Sequence, residues 1–213
     1  MTQESTESTE LGLDAEAKRV DGLAREVLGE HYVSFRVESL DMKEDFEKGD
    51  VSLRARLTRV GAKDKNDIEG AGVGLVDAFF DGVMRAFSTE YPSLKTLSIS
   101  DFSLSSGFDG ISGRRSDAVA MATLRIRNSE DIEYAFSRGS PSVTRSSVRA
   151  TLDALTFFIN SERAYVQLHV ALQDAKKRRR SDLVERFRAQ MATLVTATSY
   201  SEVIENLRKE NEG

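Results

Sequence analysis

The sequence predicts an α+β fold made of two tandem β-β-β-α units related by pseudo-twofold symmetry. Three patterns indicate this fold: apolar residues alternate in strand-like runs, a glycine cluster leads into a helix with one apolar face, and the same order of patterns returns later in the chain. A lead-in helix and a helical tail are expected to flank the units. The expected segments are a disordered stretch over 1–13, the lead-in helix over 14–30, the duplicated domain over 31–161 and the helical tail over 162–213.

The composition limits the classes of protein to which the chain can belong. Its 213 residues, 39% of them hydrophobic, can bury one good core. Cysteine is absent, which excludes disulfides and thiolate metal sites and favours a cytoplasmic location. No apolar run approaches the ~18 residues of a membrane span, so no membrane association is expected. The formal net charge of −5 disfavours a general nucleic-acid binder, which needs a basic surface.

The first predicted unit follows a lead-in helix that Asp14 can cap and Gly29 can end. The residues before Asp14 lack apolar periodicity, which is why disorder is expected there. The elements expected next are a strand over 33–37, an acidic loop over 41–50, a strand over 51–58 and a short strand over 67–70. The glycine cluster Gly70 to Gly74 then turns the chain into a helix that begins at Leu75.

The same order of elements recurs in the second half of the chain. The elements expected there are strands over 94–104, 117–127 and 132–136, and a long helix that starts at 139–141. Placing Val51 on Ala118 keeps the inward positions of both strands in phase, and the same offset places Gly72 one repeat before Gly139. The alternative is an unrelated α+β domain whose strands happen to alternate.

The helical tail combines a continuation of the second long helix with a further helix over 182–209. Between them lies the basic run Lys176 to Arg180. Five like charges without interleaved aromatic residues are more often a solvated surface than a site for an anionic partner. Pairing with the acidic residues of Asp41 to Asp50 is a further possibility.

No constellation of catalytic or metal-binding residues stands out. The two histidines, His31 and His169, have no metal-ligand neighbour at i+2 or i+4, so neither a metal nor a cofactor is expected. No nucleophile-elbow pattern is present, which disfavours Ser–His–Asp chemistry. Gly72 and Gly74 precede a helix as in phosphate-binding loops, but residues 65–69 are too polar for the buried parallel strand of a dinucleotide fold. The chain is therefore expected not to be an enzyme.

Four short motifs occur in one order along the chain. They are Gly72-x-Gly74-x-Val76-Asp77-Ala78, Leu97-x-x-x-Asp101-Phe102, Asp117-Ala118-Val119-Ala120, and Ala150-Thr151-x-x-Ala154-Leu155 followed by Asn160. Together they resemble the C-terminal regulatory and dimerisation domain of the 2-isopropylmalate synthase and homocitrate synthase family. The catalytic barrel of that family and its H-x-H metal site are missing. By this resemblance, Gly72, Gly74, Asp77, Gly139 and Asn160 are structural residues.

The resemblance implies a stand-alone regulatory domain that binds a branched-chain amino acid, leucine in the synthases, for feedback inhibition of leucine biosynthesis. It would act as a sensor or in trans on a catalytic synthase subunit. The residues that match the family's effector pocket are Val83, Ile99, Phe102, Ala118 and Ala120. Independently of the resemblance, the alternate alanines Ala118 and Ala120 leave an apolar slot that a branched side chain could fill. The alternative is that they simply make room for a neighbouring helix.

Polar partners for the ligand are also expected near this slot. Asp101 or Asp117 would bind the ammonium group, and loop amides between Ser105 and Ser116 would bind the carboxylate. The competing hypothesis is a purely structural dimerisation module without a ligand. A homodimer is expected in either case, because the resemblance implies one and because Ala118, Ala120 and Ala122 leave a shallow strand face.

Overall fold

The computed structural model describes residues 3–61, 65–106 and 119–197, and over these residues the chain is an α+β protein with two three-stranded antiparallel sheets. The first sheet has the order β1-β2-β3, with β1 Phe35–Asp45, β2 Asp50–Arg59 and β3 Lys65–Gly72. The second has the order β4-β5-β6, with β4 Ser98–Ser106, β5 Ala120–Arg127 and β6 Glu133–Ser140. The predicted α+β class is confirmed.

Four α-helices lie in the described part of the chain. They are α1 Gln3–Leu28, α2 Leu75–Phe87, α3 Val143–Lys177 and α4 Ser181–Leu194. Short 3₁₀ turns occur at Gly29–His31, Pro92–Thr96 and Val195–Ala197. In chain order α2 follows the first sheet and α3 follows the second.

The long helix α3 is the centre of the molecule. It covers β5 and β6 and also contacts α1, α2 and α4, while α2 packs mainly on β3 and β2. Residues from Ala154 to Glu162 are buried on every side of α3, which is the pattern of a helix enclosed by other elements. An aromatic cluster joins the helix to the second sheet, with the ring centroids of Tyr134 and Phe157 5.0 Å apart.

The strand β2 shows why alternation was a good predictor. Its inward residues are almost fully buried, and the residues between them are mostly exposed. The inward residues are Val51, Leu53, Ala55 and Leu57. Because β2 is the central strand and its other face meets water, burial follows the period of two.

The prediction of an acidic loop over 41–50 is wrong for residues 41–45, which belong to β1. β1 continues to Asp45, which pairs with Asp50, so only the hairpin tip turns. This end of the hairpin projects beyond the core, and Asp41 to Glu44 are exposed on both faces. Without a buried face there is no alternation in the sequence to indicate a strand.

The boundaries of the helices also differ from the expected ones. α1 begins at Gln3, where disorder was expected, because a helix anchored by a packed stripe can extend through residues that contain no proline. α3 runs without a break through the expected domain boundary at 161. In the tail, α4 ends at Leu194, and residues 198–209 of the expected helix lie outside the described residues. Arg178 and Arg180 of the basic run pair with Asp174 and Asp182 rather than with the acidic hairpin.

Candidate functional site

The expected ligand pocket on the second sheet is spread along its strands. Ile99 pairs with Ile126 and Phe102 with Leu124, whereas Ala120 lies at the far end of β5 opposite Ser106. At ~3.3 Å per residue, Ala120 lies about 20 Å along the strand from Ile126. The three residues share the half-buried inner face, but a ligand of the size of leucine cannot contact all of them.

The other expected pocket residues are also dispersed. Val83 is buried in α2, which packs mainly on the first sheet, while Asp101 is exposed and pairs with Arg125 across β4 and β5. Asp117, Ala118 and most of the expected carboxylate-binding loop lie outside the described residues. Ala122 is fully buried on β5, the strand that α3 covers, so at this position the small side chain admits a helix.

The glycine corner is determined by close packing and not by left-handed backbone angles. None of Gly70, Gly72 and Gly74 has a positive φ angle. A Cβ on Gly70 would fall on the carbonyl oxygen of Ala78 and 2.6 Å from the nitrogen of Gly82, and one on Gly72 would meet the carboxylate of Asp77. Close approach of β3 to α2 therefore requires the first two glycines, whereas Gly74 has open space around its Cα.

Asp77 and Asp81 satisfy the free edge of β3. Asp77 accepts a hydrogen bond from the backbone N–H of Val73 at 3.0 Å, and Asp81 accepts one from Ala71 at 3.0 Å. Gly139 has no comparable role. It lies within β6 opposite Met121, and a Cβ there would meet only the side chains of Val119 and Met121.

Asn160 fastens α3 to the start of β1. Its side-chain oxygen accepts from the N–H of Val33 at 2.8 Å, and its amide donates to the carbonyl of Val33 at 2.7 Å and to that of Thr156 at 2.8 Å. The residue is fully buried, and the amide binds Val33 as a neighbouring strand would. The expectation of a structural role for Asn160 agrees with these contacts.

A cleft of about 770 Å³ lies between the two sheets. One wall is the run Phe35 to Leu40 of β1, and the other is formed by Ser137 to Gly139 of β6 and the first turns of α3. Since β1 and β6 are edge strands of their sheets, two free edges face the same space. Among the described residues, none of those expected in the pocket lines this cleft.

In an edge strand, alternate residues direct their N–H and C=O groups toward the paired strand and away from it. The pairing in each sheet therefore shows which backbone groups face the cleft. Val60 donates to the carbonyl of Ser34, so the N–H and C=O groups of Phe35 and Val37 point away from β2. Asn128 donates to the carbonyl of Ile132, and alternation along the pairing makes Ser137 and Gly139 point away from β5. Within the described residues, none of these four outward backbone pairs has a hydrogen-bond partner.

Positive charge exceeds negative charge in the cleft lining. Arg138 is paired with Asp153, and Glu38 lies 3.9 Å from Arg36 and 3.2 Å from Lys65. Arg145 and Arg149 form no side-chain hydrogen bond or ion pair with any described residue, and their i,i+4 spacing puts them on one face of α3. The cleft can therefore bind a carboxylate.

A second cleft, of about 630 Å³, adjoins the first at the Arg138–Asp153 pair. It runs along α1, where the Tyr32 hydroxyl donates to Asp21 and accepts from Arg25 at 3.1 Å. Burial, followed by the hydrogen bond to Asp21, raises the pKa of Tyr32 and keeps the phenol neutral. The polar groups of this second cleft therefore bind one another.

The described residues contain neither a cluster of metal ligands nor a membrane-spanning helix. No group of three or more His, Asp and Glu side chains there could hold a metal ion. No described helix is long and apolar enough to cross a membrane. His31 is exposed in the 3₁₀ turn after α1, and His169 is half-buried on α3.

Comparison of the sequence with protein-family models gives no match, and no curated protein matches it.

The sequence does not predict the cleft, because the backbone groups that line it leave no pattern in the order of residue types. Four of the polar groups are backbone pairs on strand edges, and only tertiary structure brings β1 beside β6. One signal was available: Arg145 and Arg149 lie one turn apart near the start of the predicted long helix, and no acidic residue precedes either of them by four positions.

Proposed function

We propose that the chain is a non-catalytic regulatory module that binds a small amino acid in the cleft between its two sheets. The observation that supports this most strongly is the set of groups in the cleft. Guanidinium groups and backbone N–H and C=O groups that have no partner among the described residues lie there beside an apolar wall. The apolar wall consists of Leu40, Val148 and Leu152. The ligand class, a branched-chain amino acid, comes from the motif resemblance.

The duplicated β-β-β-α architecture is part of this proposal, and two features support it. The first strand of each sheet has an irregularity opposite equivalent points of the central strand, between Val37 and Ser39 in β1 and between Ile99 and Asp101 in β4. In both halves two residues separate the third strand from its helix. By these features, the position in the second unit that is equivalent to Gly72 is Ser140, and not Gly139 as expected.

The cleft offers a partner for each part of an amino acid. Arg145 and Arg149 bind the carboxylate, because guanidinium groups form charge-assisted bonds with it. The outward carbonyl groups of β1 and β6 accept from the ammonium group. The aliphatic side chain then lies against Val148 and Leu152 of α3.

A thermal-shift screen over the twenty amino acids tests the proposal, since a ligand that binds only the folded state raises its stability. Leucine, isoleucine or valine at millimolar concentration should raise the melting temperature. Arg149→Gln should abolish the rise. Ala120→Leu, which fills the slot expected on the second sheet, should leave it unchanged. A rise lost only in Ala120→Leu would place the ligand on the second sheet, and no rise with any amino acid would contradict the proposed function.

A structural homodimerisation module is the second candidate, and exposed apolar residues at one end of the first sheet favour it. Phe46 at the β1–β2 tip is 88% exposed, Val73 beside the end of β3 is 82% exposed, and Met42 is 44% exposed. A second copy would cover these residues. The small alanines expected at the interface are less suitable, since Ala122 is fully buried.

The remaining parts of the proposal concern the cellular role. We place the module in the cytoplasm because it has no cysteine. It would respond to its ligand alone or regulate a catalytic synthase subunit in trans. We propose that the isolated chain has no acyl-transfer activity, and assay of the purified chain with acetyl-CoA and 2-oxoisovalerate tests this.

A further inference from the structure

The size of the cleft exceeds what one amino acid fills. A residue in a sheet occupies about 160 Å³, taking ~3.3 Å along the strand, ~4.8 Å between strands and ~10 Å between layers. The 770 Å³ cleft therefore has room for about five extended residues. The facing run Phe35 to Leu40 of β1 has a similar length.

Both walls of the cleft present the backbone donors and acceptors to which an added strand could bind. Phe35 and Val37 on β1, and Ser137 and Gly139 on β6, direct N–H and C=O groups into the cleft at alternate residues, and no described residue binds these groups. An antiparallel or a parallel neighbour bonds to every second residue of a strand edge. The amide of Asn160 already occupies this edge of β1 one step earlier, at Val33.

The charge of the cleft limits the side chains of such a strand. Arg36, Arg138, Arg145 and Arg149 line it, against the two carboxylates Glu38 and Asp153. Two arginines are left without a partner among the described residues. An occupant that carries carboxylates complements this surplus, whereas a basic one is repelled.

The geometry points to an extended acidic peptide as a ligand of this cleft, bound as an added strand between β1 and β6 with its carboxylates on Arg145 and Arg149. The bound strand joins the two sheets into one, in the order β3-β2-β1-peptide-β6-β5-β4. This inference rests on the proposed role of the cleft as the binding site, and it extends the ligand from one amino acid to a peptide segment.

The test uses the full chain and the peptide Thr-Val-Glu-Val-Glu-Val-amide, with fluorescein attached to its N-terminal amine, and binding is followed by fluorescence anisotropy. Binding should weaken about tenfold in Arg145→Gln/Arg149→Gln and on replacing both Glu of the peptide by Lys. Methylating alternate peptide nitrogens should abolish it, because that removes the donors to one strand edge.

Ser137→Pro is the decisive variant. It removes the outward N–H of β6, a place where an edge strand tolerates proline, and should abolish peptide binding. Leu104→Pro is the matched control, since by the same hydrogen-bond phase Leu104 directs its N–H outward at the free edge of β4, away from the cleft. It should bind as the parent does, and melting curves verify the fold of both.

Equal binding by Ser137→Pro, equal binding of the N-methylated peptide, or no binding at roughly 1 mM overturns the inference. If leucine raises the melting temperature and the peptide does not bind, the inference fails and the proposed function stands. If the peptide binds and no amino acid stabilises the chain, the inference holds and the proposed effector class is wrong.

Discussion

Single buried polar side chains hold the elements of this molecule in place. Asn160 satisfies both backbone groups of Val33, and Glu162, 7% exposed, accepts from the N–H of Ser93 at 3.0 Å and from its hydroxyl. Each contact joins α3 to a segment far away in sequence. Because buried polar groups are costly when unpaired, such residues fix one arrangement of the chain.

Asn160→Leu should lower the free energy of unfolding by about 3 kcal/mol, because the buried N–H and C=O of Val33 lose their partners. Asn160→Asp should also destabilise the fold, since a buried carboxylate accepts from the N–H of Val33 but cannot donate to the carbonyl oxygens of Val33 and Thr156. Urea unfolding measures both. Equal stability of the Leu variant and the parent would show that Val33 finds other partners.

The glycine corner offers a matched pair of substitutions. Gly70→Ser should destabilise the fold by more than about 2 kcal/mol, since its Cβ would meet the backbone of α2. Gly74→Ser, at the helix N-cap with φ −164°, should change stability by no more than about 0.5 kcal/mol, and a serine cap favours stabilisation. Similar melting temperatures for the two variants would contradict the close contact between β3 and α2.

At the scale of elements, the short link between α3 and α4 carries an exposed ion pair. The Arg180 guanidinium binds Asp182 at 2.8 Å in the first turn of α4. Hydrogen bonds from Arg180, and then from the backbone N–H of Leu183, lower the pKa of Asp182 to about 2. A carboxylate at this position also complements the helix dipole.

The pH dependence of Asp182 follows from this lowered pKa. The folded-state pKa lies below the ordinary value of 3.8, so the contact stabilises the fold above pH ~4 and the contribution is lost as pH falls through about 2. NMR titration should give a midpoint near 2 in the parent and near the ordinary value in Arg180→Gln. A parent midpoint near 4 would show that the ion pair does not persist in solution.

The contrast between two strands shows what the sequence could predict. The alternation of β2 indicated its bounds closely, because one face is buried along its length. The second half of β1 was missed, because Met42 and its neighbours are exposed on both faces and nothing in the side-chain pattern records backbone pairing. The cleft was missed for the same reason, since Ser137 and Phe35 contribute backbone groups there.

At the scale of the whole molecule, the exposed tip of the first sheet predicts self-association. Light scattering at micromolar concentration should give the mass of a dimer. Phe46→Glu should shift the equilibrium to monomer, because it places a charge in the apolar contact. Val170→Glu, on an exposed position of α3, should leave the dimer intact. A monomeric parent, or a dimer that Phe46→Glu does not affect, would contradict this interface.

The central claim is that ligand binds between the facing edges of β1 and β6, and amide chemical-shift mapping tests it most directly. Titration of ¹⁵N-labelled protein with leucine should shift the amides of Phe35, Val37, Ser137 and Gly139 together, since these face the cleft. Shifts confined to Ile99, Phe102 and Ala120 would place the site on the second sheet. No shift anywhere at millimolar leucine would contradict the account.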